Sequence, residues 1–404
     1  MRWFPAEPWV RNQYVMVATV FVVYTGFAFV LPFLPLYVRQ LGVRGDEAVA
    51  LWSGVLVGVA PLVAGLMAPV WGRLADRHGQ KRIALRALVS YVVLLALSAA
   101  ATRVEHLLVL RVGVGFFGAI GPLSLAMATT LGPREETGRA VGQIQAAQIL
   151  AAAVGPLAGG FLADTIGIRS TFVVTAALCA AASGLVARYY REGPEAAPAA
   201  RAPAGNAALL RQRGVVALIV VLFLVNFVGR SFTPILPLHL LRLAVPAASL
   251  GLATGVLISA YSVAAAVSST VLGRATRRFP PRALLAASLA AGAATVLPMA
   301  LISSFTLFLM LALLLGLASG GALTVCYTIG GLMVPSAQRA TAFGFFSGAA
   351  LFGGAISPTV AGLLAHWDLR GIYYLDTVLF VFLTAGLLAA GVARAPAPSR
   401  AGEA

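Results

Sequence analysis

The chain nearly repeats itself at an offset close to half its 404 residues. Leu31-Pro32-Phe33-Leu34-Pro35-Leu36 returns as Thr233-Pro234-Ile235-Leu236-Pro237-Leu238, and Gly72-Arg73 returns as Gly273-Arg274. Pro133 matches Pro335, Gly142 matches Gly344, and Pro156 with Gly160 matches Pro358 with Gly362. Two copies of one unit in the same order constrain the chain to two like bundles, with a shared space between them where function is expected to sit.

The solvent for those bundles follows from composition. The chain is 60% hydrophobic and 10% charged, where a soluble domain carries roughly a quarter charged residues. Twelve apolar runs are legible, at about 14–38, 49–71, 83–101, 107–131, 139–163, 169–190, 215–240, 249–272, 283–302, 305–331, 340–365 and 371–392. Each is long enough to cross a hydrocarbon layer of about 30 Å as a helix. Lipid offers backbone groups no partner, so the spans must be helical and the fold an all-α membrane protein. The net charge of +16 does not point to nucleic acid, because of where the charge falls. With a cytoplasmic N-terminus, 21 of the 29 basic residues lie in inside-facing segments and six outside (Arg39, Arg44, Arg103, Arg169, Arg242 and Arg370). That is the positive-inside bias of a multi-pass protein of the cell's inner membrane, with both termini cytoplasmic.

The division expected is a six-helix bundle over 1–190, a cytoplasmic linker over 191–214, a second bundle over 215–392 and a tail over 393–404. The linker and tail are Ala/Pro/Gly-rich with scattered arginines, as flexible connectors are. Cys179 and Cys326 sit in separate halves and give no disulfide framework or metal spacing. No nucleophile–base constellation, P-loop or nucleotide signature occurs, so neither catalysis nor ATP hydrolysis is expected and no cofactor is called for. No cleavable leader is evident at the N-terminus, because the first span is too long and lacks a small-residue cleavage pattern.

One string stands out between the second and third spans: Gly72-Arg73-Leu74-Ala75-Asp76-Arg77-His78-Gly79-Gln80-Lys81-Arg82. Gly72 and Gly79 permit close approach and positive φ. Asp76 can face a helix N-terminus, and Arg77, Lys81 and Arg82 hold the turn inside. The string resembles the loop-two signature of the major facilitator superfamily, with Gln80 where that signature has Arg. The resemblance implies a twelve-span fold of two pseudo-symmetric halves, with Asp76 and Arg77 as gate residues latching the cytoplasmic face. The second copy, Gly273 to Arg278, has no Asp, so one latch is expected. In the fifth span, Gly142 followed by Gly155-Pro156-Leu157-Ala158-Gly159-Gly160 resembles the antiporter signature of drug:proton exchangers, with Ala151 where the pattern has Gly. Arg111 with Gly115 and Gly118 resembles that family's fourth-span motif. Small residues let helices approach closely, and Pro156 permits a bend.

Charged residues inside spans are functional candidates by default. Arg111 falls early in span four and Arg230 near the middle of span seven, where Asn226, Arg230, Thr233 and Pro237, at i, i+4, i+7 and i+11, are expected to share one face of the helix and line the cavity. Candidate cavity residues are these with Tyr24, Phe27, Leu31, Gln145, Gln148, Tyr261, Tyr327 and Phe345. No acidic residue lies at the centre of a span. The candidates for proton coupling are Asp376, Asp164 and His239, all toward the outer face, and Asp76 with its nearby arginines. Two arginines and no central carboxylate favour neutral or anionic amphiphiles over cations.

The function expected is proton-coupled export of hydrophobic or amphiphilic small molecules by alternating access, in a monomer. The alternative is a facilitator or importer of one metabolite, a sugar or organic anion, with Arg230 as its hook. A membrane receptor without transport is disfavoured by the short loops.

Overall fold

The computed structural model describes residues 7–118, 120, 121, 123, 124, 127, 137–191, 214–334 and 339–389. The expected linker at 191–214 and tail at 393–404 therefore lie almost wholly outside the described residues, as does the side chain of Asp76. The described residues form helices and no strand, as a chain must when lipid cannot satisfy its backbone. In the first part, α1 (Pro8–Val30) continues through a 3₁₀ turn (Leu31–Phe33) into α2 (Leu34–Gln40). Then come α3 (Asp46–His78), α4 (Gln80–Ala99), α5 (Val104–Phe117), α6 (Thr137–Ile166) and α7 (Ile168–Tyr189). The second part comprises α8 (Val215–Ser231), α9 (Leu236–Arg242), α10 (Leu250–Ala275), α11 (Pro281–Leu301), α12 (Phe305–Met333), α13 (Arg339–Leu364) and α14 (Gly371–Ala389).

Among the described residues, ten helices are long and apolar enough to cross a membrane, and α8 with α9 makes an eleventh. In the place of the fourth expected span stands α5, which is followed by residues only partly described. Apolar side chains also face outward: Val109, Phe382 and Leu388 are 70, 65 and 68% exposed, which suits a lipid-facing surface and no aqueous one.

The internal repeat reappears as repeated packing. α1 packs on α6 as α8 packs on α13; α4 packs on α7 as α11 packs on α14; α3 packs on α5 as α10 packs on α12. The two parts meet through a matching pair of crossings, α6 with α10 and α13 with α3. At both, glycine lets backbone touch backbone. A Cβ added at Gly255 of α10 would run into the carbonyl oxygen of Pro156, and one at Gly54 of α3 would run into that of Pro358. Gly160 and Gly362 are held just as closely, against the carbonyls of Gly251 and Ala50. Each crossing also carries one hydroxyl bond. Leu157 N donates to Ser259 Oγ at 3.2 Å, and Thr359 Oγ1 donates to the Gly54 carbonyl at 3.4 Å.

Two expectations need correcting. The segment from Gly72 expected as a loop is helical as far as His78, because Leu74, Ala75 and Arg77 are sound helix formers and basic residues suit a helix C-terminus. Only the part of α3 up to Ala68 is apolar enough to span. The seventh span is not one continuous helix. It breaks after Ser231 and bends by 49°, since Pro234 removes an N–H and crowds the preceding turn. Asn226 and Arg230 therefore share α8, while Thr233 falls in the break and Pro237 in α9.

A cysteine pair tests the α3–α13 crossing. A Cβ at Gly58 would stand 2.7 Å from Thr359 Oγ1, so the Gly58→Cys/Thr359→Cys double variant should form a disulfide on mild oxidation. With a protease site placed in the 191–214 segment, the two fragments should stay joined on a non-reducing gel and separate on reduction. Separation before reduction would refute the crossing.

Candidate functional site

Between the two parts lies a cluster of aromatic and basic side chains. Arg230, near the end of α8, lays its side chain along Gly354 of α13, where a Cβ would stand 3.1 Å from Cδ. Its guanidinium is exposed, and it acts electrostatically on Tyr24 of α1 and on Tyr261 of α10. Tyr261 packs edge-on against Phe232 with ring centroids 5.7 Å apart. Tyr24 is near enough to Tyr91 of α4 for the two to interact electrostatically, and Phe27 meets the Tyr91 ring at 5.0 Å. The structure thus brings Tyr24, Phe27, Arg230 and Tyr261 into one neighbourhood spanning both parts of the chain. An exposed arginine whose charge reaches tyrosines of both halves can attract an anionic or polarisable amphiphile, and the nearby aromatic rings offer apolar burial.

The other expected cavity residues are distributed differently. Arg111 is 2% exposed, and its Nε donates to the Leu56 carbonyl at 2.9 Å, so it braces α5 against α3 beside Tyr91. Asn226 turns its amide back onto the Leu222 carbonyl at 3.0 Å. Tyr327 stacks on Phe343 at 5.9 Å, with Phe345 half-buried on the same α13. Leu31, Thr233 and Gln148 are half-buried, and Gln145 is exposed. Gln143, which sequence reasoning passed over, shares a bond with Gln13 of α1 at 3.4 Å.

Toward the side that the expected topology makes external, the seam is fastened by charge. Asp164 near the end of α6 accepts the backbone N–H groups of Gly251 and Leu252, at 3.0 and 2.7 Å. Those are the orphan donors of the first turn of α10, so the carboxylate caps a helix from the opposite half and meets its positive dipole end. The repeat-related position to Asp164 is His366, and its Nδ1 lies 3.7 Å from Glu47 at the start of α3. Both fastenings join the halves, and sequence spacing could have shown neither partner.

The residues of the antiporter-like signature split by role. Gly155 and Gly159 admit α1, against Ala28 and Phe29; Pro156 and Gly160 meet α10; Gly142 has open space beside it. At the opposite end, Gly72 is helical with open space beside it, and the turn is made at Gly79, with φ of 93°. Lys81 Nζ donates to the Ala187 carbonyl at 2.9 Å. Arg77 and Arg82 are exposed at the two helix ends. Sequence reasoning missed the clasp beneath them. The Arg86 guanidinium lies 3.1 Å from the centroid of the Trp71 ring and donates to the Phe117 carbonyl at 2.9 Å, while Trp71 Nε1 donates to Phe116 O at 2.6 Å. An arginine one helical turn after Lys81-Arg82 was the available signal.

Two further candidates are buried near the outer end of the second part. His239 is 3% exposed, packed between Phe308 and Tyr373 with centroids at 4.9 and 5.2 Å. Asp376 is 1% exposed, and Ser231 Oγ lies 2.5 Å from its Oδ2.

The family model described as Major Facilitator Superfamily matches residues 16–258 and 218–404. The multidrug resistance protein MdtG of Yersinia enterocolitica serotype O:8 / biotype 1B is 30% identical over 383 residues, covering 93% of this chain and 91% of the relative. MdtG of Dickeya zeae (strain Ech586) is 32% identical over 324 residues, covering 80% of this chain and 79% of the relative. Among solved structures, a bacterial homolog of the human lysosomal transporter Spinster, inward-facing and occupied, aligns with a TM-score of 0.80 at 17% identity, covering 96% of this chain and 98% of that one.

If Asp164 fastens the seam, Asp164→Ala should loosen it. Losing a helix N-cap costs about 1 kcal/mol, or roughly a five-fold change in the population of the opened form. A cysteine at Thr359, inside the α3–α13 crossing, should then react several-fold faster with an impermeant maleimide added outside. Unchanged labelling would refute the fastening.

Proposed function

The chain belongs to the Major Facilitator Superfamily, and we propose that it exports hydrophobic or amphiphilic small molecules from the cell by alternating access, in exchange for protons. What carries the export assignment is its likeness over 93% of its length to a relative named for multidrug resistance. The halves, 1–190 and 215–392, rock about the seam while the Arg230 neighbourhood holds the cargo. Glycine-mediated contact at both crossings, with Asp164 and the Glu47–His366 pair, closes the outside in the conformer described here. The Gly72–Arg82 segment, with Asp76 and Arg77, closes the inside in the alternate one. Basic residues concentrated in inside-facing segments support cytoplasmic termini in the inner membrane, and two complete halves in one chain support a monomer.

Arg230 would set selectivity. Its positive field favours neutral and anionic amphiphiles, the more so while the nearby Asp376 carries a proton. Tyr24, Phe27, Tyr261, Phe345 and Tyr327 would supply the apolar and hydrogen-bonding wall. Proton entry would neutralise a carboxylate near the outer face and so change which conformer is favoured.

The test is the pH gradient of energised inside-out vesicles, followed as neutral, anionic and cationic amphiphiles are added in turn. Neutral or anionic compounds should dissipate the gradient only in vesicles carrying the protein. Arg230→Ala should weaken the anionic response most and improve the cationic one relative to it. Flux without any gradient response would sink the antiport assignment and favour a facilitator with Arg230 as its ligand hook.

A further inference from the structure

Asp376 stands in the second turn of α14, wholly inside the bundle. Its Oδ2 lies 2.5 Å from Ser231 Oγ, and its Oδ1 has no hydrogen-bond partner. The same Ser231 hydroxyl lies 3.0 Å from the Val228 carbonyl in donor geometry. A hydroxyl has one proton and cannot donate to both.

The two assignments are unequal. If Asp376 is ionised, Ser231 must donate to it. The Val228 carbonyl then loses that partner, and a buried carboxylate is left with one hydrogen bond and no countercharge, which costs several kcal/mol. If Asp376 carries a proton, the carboxyl O–H donates to Ser231 Oγ and Ser231 donates to Val228 O. Every proton then has one acceptor.

Among the described residues, none forms an ion pair with Asp376. On α8 the one ionisable side chain is Arg230, which lies along Gly354 and faces Tyr24 and Tyr261. From α9 comes His239, buried with both ring nitrogens unpartnered against the rings of Phe308 and Tyr373. Tyr373, also unpartnered at its hydroxyl, stands one turn before Asp376, and Tyr261 faces it from α10. On α11 and α13 the ionisable residues are Arg282 and Arg339, at the far ends of those helices. The outer arginines, Arg242 and Arg370, act on His239.

We propose that Asp376 is the site that carries the exchanged proton, and that it is loaded in this conformer, with Ser231 as its acceptor. This rests on the antiport reading of the protein. The position gives the proton mechanical leverage. Ser231 is the last residue of α8, at the 49° break in the span, and Arg230 is its neighbour. When the proton leaves Oδ2 for water, Ser231 rotates its own proton from Val228 O to the carboxylate, and Oδ1 must find a new partner. The break, and Arg230 with it, has to rearrange. Entry from outside would pass His239 and Tyr373, whose unpartnered polar atoms lie between Asp376 and the outer arginines. Cargo held at Arg230 and a proton held at Asp376 are thereby coupled across one residue.

The full-length protein reconstituted in lipid vesicles tests this with two readouts. Infrared difference spectra across a pH titration should show a protonated carboxyl C=O band that is absent in Asp376→Asn. No such band, or its survival in that variant, overturns the proposal whether or not the protein exchanges protons. In the flux assay, Asp376→Asn should retain counterflow of a neutral amphiphile while losing cargo-driven proton movement to background, and Asp376→Glu should restore part of it. Proton movement persisting in Asp376→Asn overturns the proposal while leaving antiport intact. Wild-type transport with no proton movement fails the antiport reading and removes the site's role as the exchanged-proton carrier. Ser231→Ala guards against mere misfolding. It should keep the carboxyl band but raise the pH at which it is lost, because the ionised acid has lost its only donor. An unmoved titration there also counts against the proposal.

Discussion

Backbone-to-backbone contact at two helix crossings is the constraint on which the rest of this molecule depends. Where Gly255 meets the Pro156 carbonyl and Gly54 meets that of Pro358, no side chain stands between the helices. In lipid there is no hydrophobic force to press helices together, so closeness of this kind supplies the dispersion and weak polar attraction that holds them. Such contact is strong when made and is lost sharply with distance, since a gap of an ångström forfeits much of the attraction. A seam built this way is either shut or open. That bistability is what an alternating-access machine requires, and the pairing of crossings by the internal repeat lets both halves of the seam part in one motion.

The repeat itself was legible in the sequence, while the interruptions at its prolines were not, since spans 14–38 and 215–240 were each expected as one helix. Pro32 and Pro35 have their mates at Pro234 and Pro237, and both sites interrupt a helix. What spacing alone could not show is that the two interruptions differ. The first stays within one continuous span, while the second is bent by 49°. A face drawn across the break, from Asn226 to Pro237, assumed a straight helix and failed for that reason. The end of α3 failed in the opposite direction: hydropathy marks where the bilayer stops, and the helix continues past it to Gly79.

Site residues were legible by type and less so by partner. Arg111 and Arg230 both stood out as charges within spans, yet their circumstances differ. Arg111 is satisfied by a backbone carbonyl and buried; Arg230 is exposed among tyrosines from both halves. Nothing in the sequence distinguishes a bracing arginine from a ligand-facing one, because the difference is the presence of Leu56 O at 2.9 Å. The same holds for Asp164. Its placement near a span end was readable, and its use as a cap on a helix 87 positions away was not.

Under the proposed antiport, the two carboxylates would let one seam answer to one small ion. Asp164 is exposed and bonded to N–H donors of the opposite half, so its partners are present only while the halves are together. Asp376 is buried with a single hydroxyl neighbour, sealed from water while the bundle is closed. Two acids thus stand in opposed surroundings in one conformer, one exposed at the seam and one sealed in the bundle. Opening the outer seam would remove the donors from the first and admit water to the second, so the conformational change and the change in proton occupancy draw on the same displacement of α10, α13 and α14. A single acid could report the state of one half; a pair in opposed environments reports whether the halves are together.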